Sequence, residues 1–320
     1  MAQFFDVNEE SKLFEKLEEV LKKKFFAGER IAIKLHMGEP GNKTRLPVPF
    51  VKKIVDILLR LGAKPFLFDS PVTYESQRNT ADGYLNAAKK EGWFDVGCLV
   101  VVSNNAIIIK GKYAAYGVCK ELIDADGVLV LTHVKGHICC GFGGAIKNLG
   151  MGALSKETKA MIHEGGEPEY LGNCTLCGAC AKACPTDNIR YSDNRPCFDK
   201  SWCCGCSNCA IACKFNAIKP NITTFDNLLA DGAITAKNSF KKVLYVNVIK
   251  NLTQHCDCVS NSGRIVAEDV GFVISDDLVD ADKTSYEMIK NKVGKDIFLE
   301  INKKSPLVHI EAAEKFGKGV

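Results

Sequence analysis

Apolar residues along the first 150 positions follow two patterns, a helical period and short continuous runs. The helical period is clear over 13–21, where apolar residues recur every three or four positions, and Gly28 marks the end of that helix. A second helix is predicted over 51–59, ending near Gly62. Continuous apolar runs of strand length lie at 31–35, 65–68, 98–102 and 128–131.

These alternating elements predict an α/β fold with a mainly parallel sheet and helices on both of its faces. Continuously apolar strands are typical of strands buried on both faces, and the helices between them supply the crossover connections. The run at 107–109 is expected to pair as an edge strand. In sheets of this kind, ligands bind beyond the carboxyl ends of the strands.

Between residues 168 and 220 the chain becomes rich in cysteine and turn residues and poor in aliphatic side chains. Such a segment buries too little apolar surface to fold by itself, so bound metal must supply the missing stability. The α/β pattern then resumes, with strands predicted at 243–249 and 270–274 and helices at 284–293 and 310–316. We therefore predict one α/β domain, formed by residues 1–167 and 221–320 and interrupted by an insert at 168–220. Two domains joined by a linker are the alternative.

Composition and charge exclude several classes of protein. The 320 residues are 46% hydrophobic and 25% charged, with a net charge of +4. So small a charge argues against a dedicated nucleic-acid binder. No basic segment leads into a long apolar stretch at the N-terminus, and no apolar run has the length of a membrane span, so we expect a soluble cytoplasmic protein. Its expected partner is a redox protein or a small-molecule substrate, and the sequence does not determine an oligomeric state.

The chain has 16 cysteines, and half of them lie in one window of 40 residues. A secreted disulfide framework would spread its cysteines along a short chain, whereas these form tight Cys-x-x-Cys runs in a large protein that we expect to be cytoplasmic. Metal ligation is therefore the better interpretation. The eight residues are Cys174, Cys177, Cys180, Cys184, Cys203, Cys206, Cys209 and Cys213.

The eight cysteines form two copies of one spacing, Cys-x-x-Cys-x-x-Cys-x-x-x-Cys, which resembles the run of bacterial ferredoxins with two [4Fe–4S] clusters. In those ferredoxins the fourth cysteine of each run binds the other cluster. The resemblance thus implies one cluster on Cys174, Cys177, Cys180 and Cys213, and a second on Cys203, Cys206, Cys209 and Cys184. Zinc is the alternative, although zinc sites usually present two separated Cys-x-x-Cys pairs. Cys197 and Cys204 fall outside the repeat and are expected to be spare thiols.

Polar residues follow three of the predicted strands. His36 and His133 come after apolar runs, and Asp69 ends another. Ligands bind beyond the carboxyl ends of the strands in parallel sheets, so we expect these three residues to lie near one crevice. There they form a candidate catalytic group that binds a metal or polarises an oxyanion. His137, His163 and His255 are the further histidines near these elements. The alternative is that each histidine is a separately hydrogen-bonded loop residue.

A glycine-rich turn enters a predicted helix at Gly143, Gly144 and Lys147. Free N–H groups at such a helix start can bind an anion, so these residues are a candidate cofactor-binding site. Close packing of helix on strand is the alternative, and the Gly-Lys-Ser/Thr ending of a Walker loop is absent. The stretch 255–258 holds a histidine and two cysteines, but neighbouring strand residues point to opposite faces, which counts against a third metal site there.

Several segments resemble a family of uncharacterised Fe–S centre proteins, catalogued as domain of unknown function 362. The resemblance is carried by residues 32–39, 62–69, 141–152, 256–258 and 269–271 and covers nearly the whole chain. It implies a cluster protein of the type found in anaerobes and brings no settled reaction. The glycine/lysine segment at 141–152 is also similar to that of nickel-dependent lactate racemase-type proteins. Cys139 and Cys140 depart from the family pattern.

Three functions are compatible with these features. The first is an oxidoreductase in which two clusters exchange electrons with a substrate or metal in the α/β crevice. The second is a non-catalytic electron-transfer protein or subunit for a partner enzyme. The third is a factor that matures clusters or metal sites, against which eight well-spaced ligands argue.

Overall fold

The computed structural model describes residues 2–317, and its centre is a seven-stranded sheet. The strands are β1 (Gln3–Asp6), β2 (Arg30–Lys34), β3 (Lys64–Asp69), β4 (Leu99–Val102), β5 (Ala106–Lys110), β6 (Ala115–Cys119), β7 (Gly127–His133), β8 (Lys135–His137), β9 (Gly141–Gly143), β10 (Pro168–Tyr170), β11 (Ile189–Ser192), β12 (Arg195–Phe198), β13 (Ile218–Pro220), β14 (Val243–Ile249) and β15 (Gly271–Ser275).

The α-helices are α1 (Glu10–Lys24), α2 (Val48–Arg60), α3 (Ala81–Lys90), α4 (Lys120–Asp124), α5 (Ala145–Gly152), α6 (Lys156–Gly166), α7 (Ala179–Ala183), α8 (Asn208–Ile211), α9 (Phe225–Asn238), α10 (Leu278–Val293), α11 (Ile297–Asn302) and α12 (Leu307–Gly317). Short 3-10 helices lie at Val7–Glu9, Gln77–Asn79 and Trp93–Val96. Among residues 2–317, no helix has the length and apolar character needed to cross a bilayer.

The strand order of the central sheet is β1-β15-β14-β7-β2-β3-β4. All neighbours from β14 to β4 pair in parallel, whereas β15 is antiparallel to both β14 and β1. The predicted mainly parallel sheet is therefore confirmed, with an antiparallel edge. The chain adds β3 and β4 on one side of β2 and then crosses to β7 on the other, so the topology reverses at β2.

Helices cover both faces of the sheet, as predicted. Successive residues of β2 point to opposite faces, so Ile31 and Ile33 pack in a core with α1, α2 and α3. Ala32 lies in the other core, which contains α5, α9, α10 and α12. Both faces are apolar, which explains why the strands appear in the sequence as continuous apolar runs.

Two elements differ from the predictions. The run at 107–109 does not join the central sheet but lies in β5, which pairs with β6 as a separate hairpin, and Ile108 is 71% exposed there. Helix α9 was not predicted. All of its residues from Phe225 to Ala236 are buried except Asn227. A helix buried on all sides lacks the amphipathic period that identifies a surface helix.

The ends of the cysteine-rich segment pair with each other. β10 and β13 form a two-stranded ladder with Pro168 opposite Pro220 and Tyr170 opposite Ile218. The segment packs closely on the end of α6, where a Cβ at Gly166 would lie 2.1 Å from the Gly205 carbonyl oxygen. Its own apolar cluster is small, which agrees with a segment that cannot fold on side-chain burial alone.

Candidate functional site

A crevice of about 250 Å³ lies at the carboxyl ends of β2, β3 and β7. His36, Asp69 and His133 all line it. This is the point at which the strand order reverses, and such points are where α/β sheets bind ligands. His137 and His163 line the same crevice, whereas His255 lies in the loop after β14 and is not among the lining residues.

Asp69 is the centre of a buried polar network. Its carboxylate lies 3.0 Å from the Lys34 ammonium and 3.2 Å from His36 Nδ1, and it accepts a 2.6 Å hydrogen bond from the Tyr84 hydroxyl. Burial raises the pKa of Asp69, but the Lys34 charge and the His36 hydrogen bond outweigh it, so the net pKa lies well below its ordinary value. Burial lowers the pKa of His36. Asp69 is therefore ionised, and the neutral imidazole donates from Nδ1 and keeps a lone pair on Nε2.

His133 is engaged by a second carboxylate and is hydrogen-bonded to neither His36 nor Asp69. Its Nδ1 lies 2.8 Å from Asp257 Oδ2, and its Nε2 lies 2.7 Å from the Lys250 carbonyl oxygen. The Lys135 ammonium is 3.4 Å from the same carboxylate. Both ring nitrogens of His133 are thus hydrogen-bonded, which fixes the ring but leaves no free nitrogen for a metal.

The crevice has an excess of positive charge. Four lysines line it, namely Lys34, Lys135, Lys147 and Lys159, together with Asp69. Lys34 is paired with Asp69, and burial lowers the pKa of Lys159 to about 8, so Lys159 is largely protonated at neutral pH. A small anion is the ligand that this charge pattern favours.

The glycine-rich turn before α5 differs from the predicted anion site. The N–H groups of Ala145 and Ile146 donate to the Asp282 carboxylate at 2.6 and 2.9 Å. A Cβ at Gly144 would lie 2.3 Å from that carboxylate, so the glycine is needed for this close approach. An internal carboxylate therefore occupies the helix start. Lys147 points elsewhere, towards the cysteines of the 255–262 loop.

Asp282 gives a pH-dependent stability that an asparagine variant should lack. Burial raises its pKa from 3.8 to about 6. The folded protein therefore keeps this proton to a higher pH than the unfolded chain. The group contributes stability below pH 3.8, which is lost as the pH rises through 6. A shift of this size corresponds to about 3 kcal/mol.

Urea unfolding of the wild type and of Asp282→Asn measures this contribution as the difference between their free energies of unfolding. That difference should fall by about 3 kcal/mol between about pH 4 and pH 7. Asparagine keeps an acceptor for the helix start but has no proton to lose. An equal pH dependence in the two proteins would contradict this assignment.

Cys256 and Cys258 correct the expectation for residues 255–258. The stretch is a turn and not a strand, and the side chains of Cys256 and Cys258 lie on the same side as His36. The donor atoms of these three residues lie within 4.8 Å of one another. Asp257, between the two cysteines, points instead to His133 and Lys135.

The first group of clustered thiols surrounds a small cavity near the surface. Cys174, Cys177, Cys180 and Cys213 line it, and Cys177 is exposed. The Tyr191 hydroxyl lies 3.1 Å from Cys180 Sγ. This is the combination of three thiols from one run and one from the other that the ferredoxin resemblance implies.

The second group of clustered thiols lies deeper. Cys184, Cys203, Cys206 and Cys209 line a second cavity, and all but Cys203 are buried. Cys204 lines both this cavity and the crevice, so the two are adjacent at this residue. Each of the two groups offers four soft sulfur donors, which suits an iron–sulfur cluster or zinc.

Two contacts attach the second thiol group to the α/β domain. Lys304 donates to the Cys206 carbonyl oxygen at 2.6 Å and pairs with the buried Asp226 at 2.7 Å. Lys303 donates to the Cys184 carbonyl oxygen at 2.9 Å. Cys197 lies on β12, half-buried and away from these contacts.

Sequence reasoning missed several residues of the crevice. Lys34 lies inside an apolar strand and is fully buried. Arg78 does not line the crevice but is fully buried beside it, with Nη1 3.5 Å from His36 Nε2 and Nε donating to Glu39 at 2.9 Å. Lys135 and Lys159 are also buried. A charged residue within a continuous apolar run was the available signal, because a buried lysine requires a buried partner.

Fold and site together define a mixed α/β protein whose cysteines and histidines are grouped in a way consistent with metal binding. The sequence model of a domain of unknown function, DUF362, matches residues 31–287. The chain belongs to the DUF362 family, as its sequence segments predicted. No curated protein matches the sequence.

One solved structure supports the fold, and a second aligns more weakly. A Thermotoga maritima protein determined by structural genomics aligns with a TM-score of 0.54 and 11% identity, covering 92% of this chain and 61% of that one. The chain thus spans less than two thirds of that protein's length. The lactate racemase apoprotein from Thermoanaerobacterium thermosaccharolyticum aligns with a TM-score of 0.45 and 13% identity, covering 87% of this chain and 55% of that one.

Proposed function

We propose that this protein is an oxidoreductase that binds two [4Fe–4S] clusters on an insert at 168–220 and exchanges electrons with a small anion in the crevice of its α/β domain. The observation that carries the proposal is the grouping of the eight cysteines. They form two sets of four, and each set combines three thiols of one run with the fourth of the other. Zinc ribbons do not require that the fourth cysteine of one run join the set of the other run.

The two sets differ in exposure, and this difference gives the proposed pathway a direction. When bound, each such cluster supplies one-electron redox chemistry. The set that contains the exposed Cys177 faces solvent, whereas three of four thiols in the other set are buried next to the crevice. Cys204 lines both the cavity of that set and the crevice, so this set is the one that adjoins the crevice.

The crevice residues have distinct roles in this proposal. Lys147 and Lys159 attract the anion, because their charges are not fully neutralised by carboxylates. The lone pair on His36 Nε2 accepts a hydrogen bond from a hydroxyl of the bound molecule or binds a metal in the crevice, since Nδ1 is held by Asp69. His133 has both nitrogens engaged and fixes the position of Asp257, so its role is structural support of the crevice wall.

A redox partner protein that delivers electrons to the exposed set would find apolar side chains around it. Phe215, which lines the cavity of that set, is 50% exposed, and Leu176, between Cys174 and Cys177, is 48% exposed. Large exposed apolar side chains of this kind are typical of protein interaction sites. This surface also supports the second candidate, an electron carrier without a reaction of its own.

Reoxidation kinetics distinguish the two candidates. The reduced protein, freed of excess reductant, is mixed with a panel of small carboxylates and oxyanions under anaerobic conditions. An oxidoreductase should be reoxidised by at least one of them. The His36→Ala and Asp69→Ala variants should lose this reaction by at least about 100-fold, which is the lower range for removing one positioned catalytic group. Their cluster spectra should be unchanged.

His255→Ala is the matched control, because this histidine lies outside the lining of the crevice and should leave reoxidation unchanged. A protein that is reduced and reoxidised reversibly by artificial mediators, yet by none of the anions, would be a carrier. Full reoxidation activity in both His36→Ala and Asp69→Ala would contradict a reaction at the crevice.

A further inference from the structure

The loop after β2 and the turn after β14 are joined by hydrogen bonds that bring three metal-type ligands together. Glu39 N–H donates to the Asp257 carbonyl oxygen at 2.8 Å. The Asn42 side-chain amide donates to the Val259 carbonyl oxygen and to the Ser262 hydroxyl, both at 2.7 Å. These bonds hold the cysteine turn against the segment that carries His36.

We propose that Cys256, Cys258 and His36 bind one divalent transition-metal ion of the zinc type, with a fourth coordination position open to the crevice. Their donor atoms lie within 4.8 Å of one another before any metal draws them in. Two sulfurs and one imidazole with a free fourth position are a ligand set of catalytic zinc sites. His36 and Cys258 both line the crevice, so the open position faces the space for the anion.

The imidazole is already oriented for a metal. Asp69 Oδ2 lies 3.2 Å from His36 Nδ1, and the same carboxylate is held by Tyr84 and Lys34. A carboxylate behind the far nitrogen fixes the tautomer and ring orientation of metal-binding histidines. The Nε2 lone pair is then directed away from Asp69, where its neighbour is Arg78 Nη1 at 3.5 Å.

The two sulfurs already attract a cation. The Lys147 ammonium lies 3.7 Å from Cys256 Sγ and 3.8 Å from Cys258 Sγ. Two thiolates and one divalent ion form a neutral centre, so the Lys147 charge is then available to pair with an anion at the open position. The inference therefore rests on the proposed function in one respect, that the crevice is where the anion binds, and it names a metal as part of that site.

Zinc binding by the cluster-loaded protein tests the inference. After removal of loosely bound metal, the protein is incubated with Zn²⁺ and separated from free ions, and zinc, iron and sulfide are measured. We expect about one zinc per chain, with X-ray absorption showing sulfur at about 2.3 Å and nitrogen at about 2.0–2.1 Å. The Cys256→Ser/Cys258→Ser variant should lose the zinc while its iron and sulfide stay unchanged.

Two further variants separate the ligands from their surroundings. Cys98→Ser, a half-buried thiol outside the lining of the crevice, should keep the zinc. Asp69→Asn should weaken zinc binding by about 10–100-fold through His36, with unchanged iron content, because Asp69 is a positioning residue. If the wild-type protein contains one iron beyond the eight of the two clusters, and the double-serine variant lacks it, that loss supports the same site.

Three results would overturn the inference. One is zinc retained in full by the double-serine variant, and another is an absorption spectrum without sulfur neighbours. The third is a Cys256–Cys258 disulfide in anaerobically purified protein that binds no zinc. The outcome is independent of the proposed electron transfer, because iron and sulfide contents report the clusters and zinc content reports this site.

Discussion

Serine at both Cys177 and Cys213 should remove about four irons per chain, whereas serine at both Cys177 and Cys184 should remove about eight. The first pair belongs to one set of thiols and the second pair to two different sets. The first double variant damages one cluster and leaves the other intact, whereas the second damages both. The two variants should therefore differ in iron content although each replaces two cysteines. Iron and sulfide counting on anaerobically purified protein measures the difference.

The structural reason for this result is the exchange of the fourth cysteine between the runs. Cys213 lines the cavity of the first run, and Cys184 lines the cavity of the second. EPR of the reduced protein should show one remaining cluster signal in the first variant and none in the second. Under the cluster proposal, bound metal stabilises this segment, so loss of a cluster should also raise the protease sensitivity of residues 168–220.

Cys197→Ser is the matched control and should keep about eight irons, because Cys197 lies on β12 outside both sets. Equal iron loss in the two double variants would contradict the exchange of ligands between runs. Zinc in place of iron in the wild-type protein would contradict the cluster proposal itself.

Replacing Lys34 by methionine should destabilise the protein by about 3–5 kcal/mol, because it leaves the Asp69 carboxylate buried without its main charge partner. Lys34 and Asp69 are both almost fully buried, and their charged atoms lie 3.0 Å apart. The Ser70 N–H and the Tyr84 hydroxyl still donate to the carboxylate, but neither carries a charge. Urea unfolding followed by fluorescence measures the change.

A second substitution separates loss of the charge pair from loss of packing. Lys34→Met/Asp69→Asn removes both charges and should recover part of the lost free energy of unfolding, because no buried charge is left unpaired. Lys52→Met removes an exposed pair with Asp56 and should cost no more than about 1 kcal/mol. A Lys34→Met variant as stable as Lys52→Met would show that Asp69 is not ionised in the folded protein.

Much of the fold was predictable because its signals are local. The apolar runs at 31–35 and 128–131 became β2 and β7, and their positions placed His36 and His133 at the carboxyl edge of the sheet. Helix α9 escaped prediction because its surroundings, and not its own sequence, bury all of its sides. The antiparallel direction of β15 likewise depends on its neighbours β14 and β1.

The candidate site was predictable only in part. Asp69 does lie beside His36, but His133 turns to Asp257. The predicted anion site at Gly144 holds Asp282, a residue 138 positions further along the chain. Cys256 and Cys258 were discounted because a strand was assumed where the chain forms a turn. The first two differences concern partners that are distant in sequence, whereas the third concerns the local structure of the chain.

The sequence by itself determined the α/β class, the family and the spacing of the eight clustered cysteines, because apolar periodicity and ligand spacing are properties of short segments. The ferredoxin resemblance of that spacing also implied which thiols share a cavity. The tertiary structure alone decided that Lys34 pairs with Asp69 and that the turn with Cys256 and Cys258 meets His36. Those contacts join residues far apart in the chain. Only the folded chain, in which the strand order of the sheet differs from the order of the sequence, brings them together.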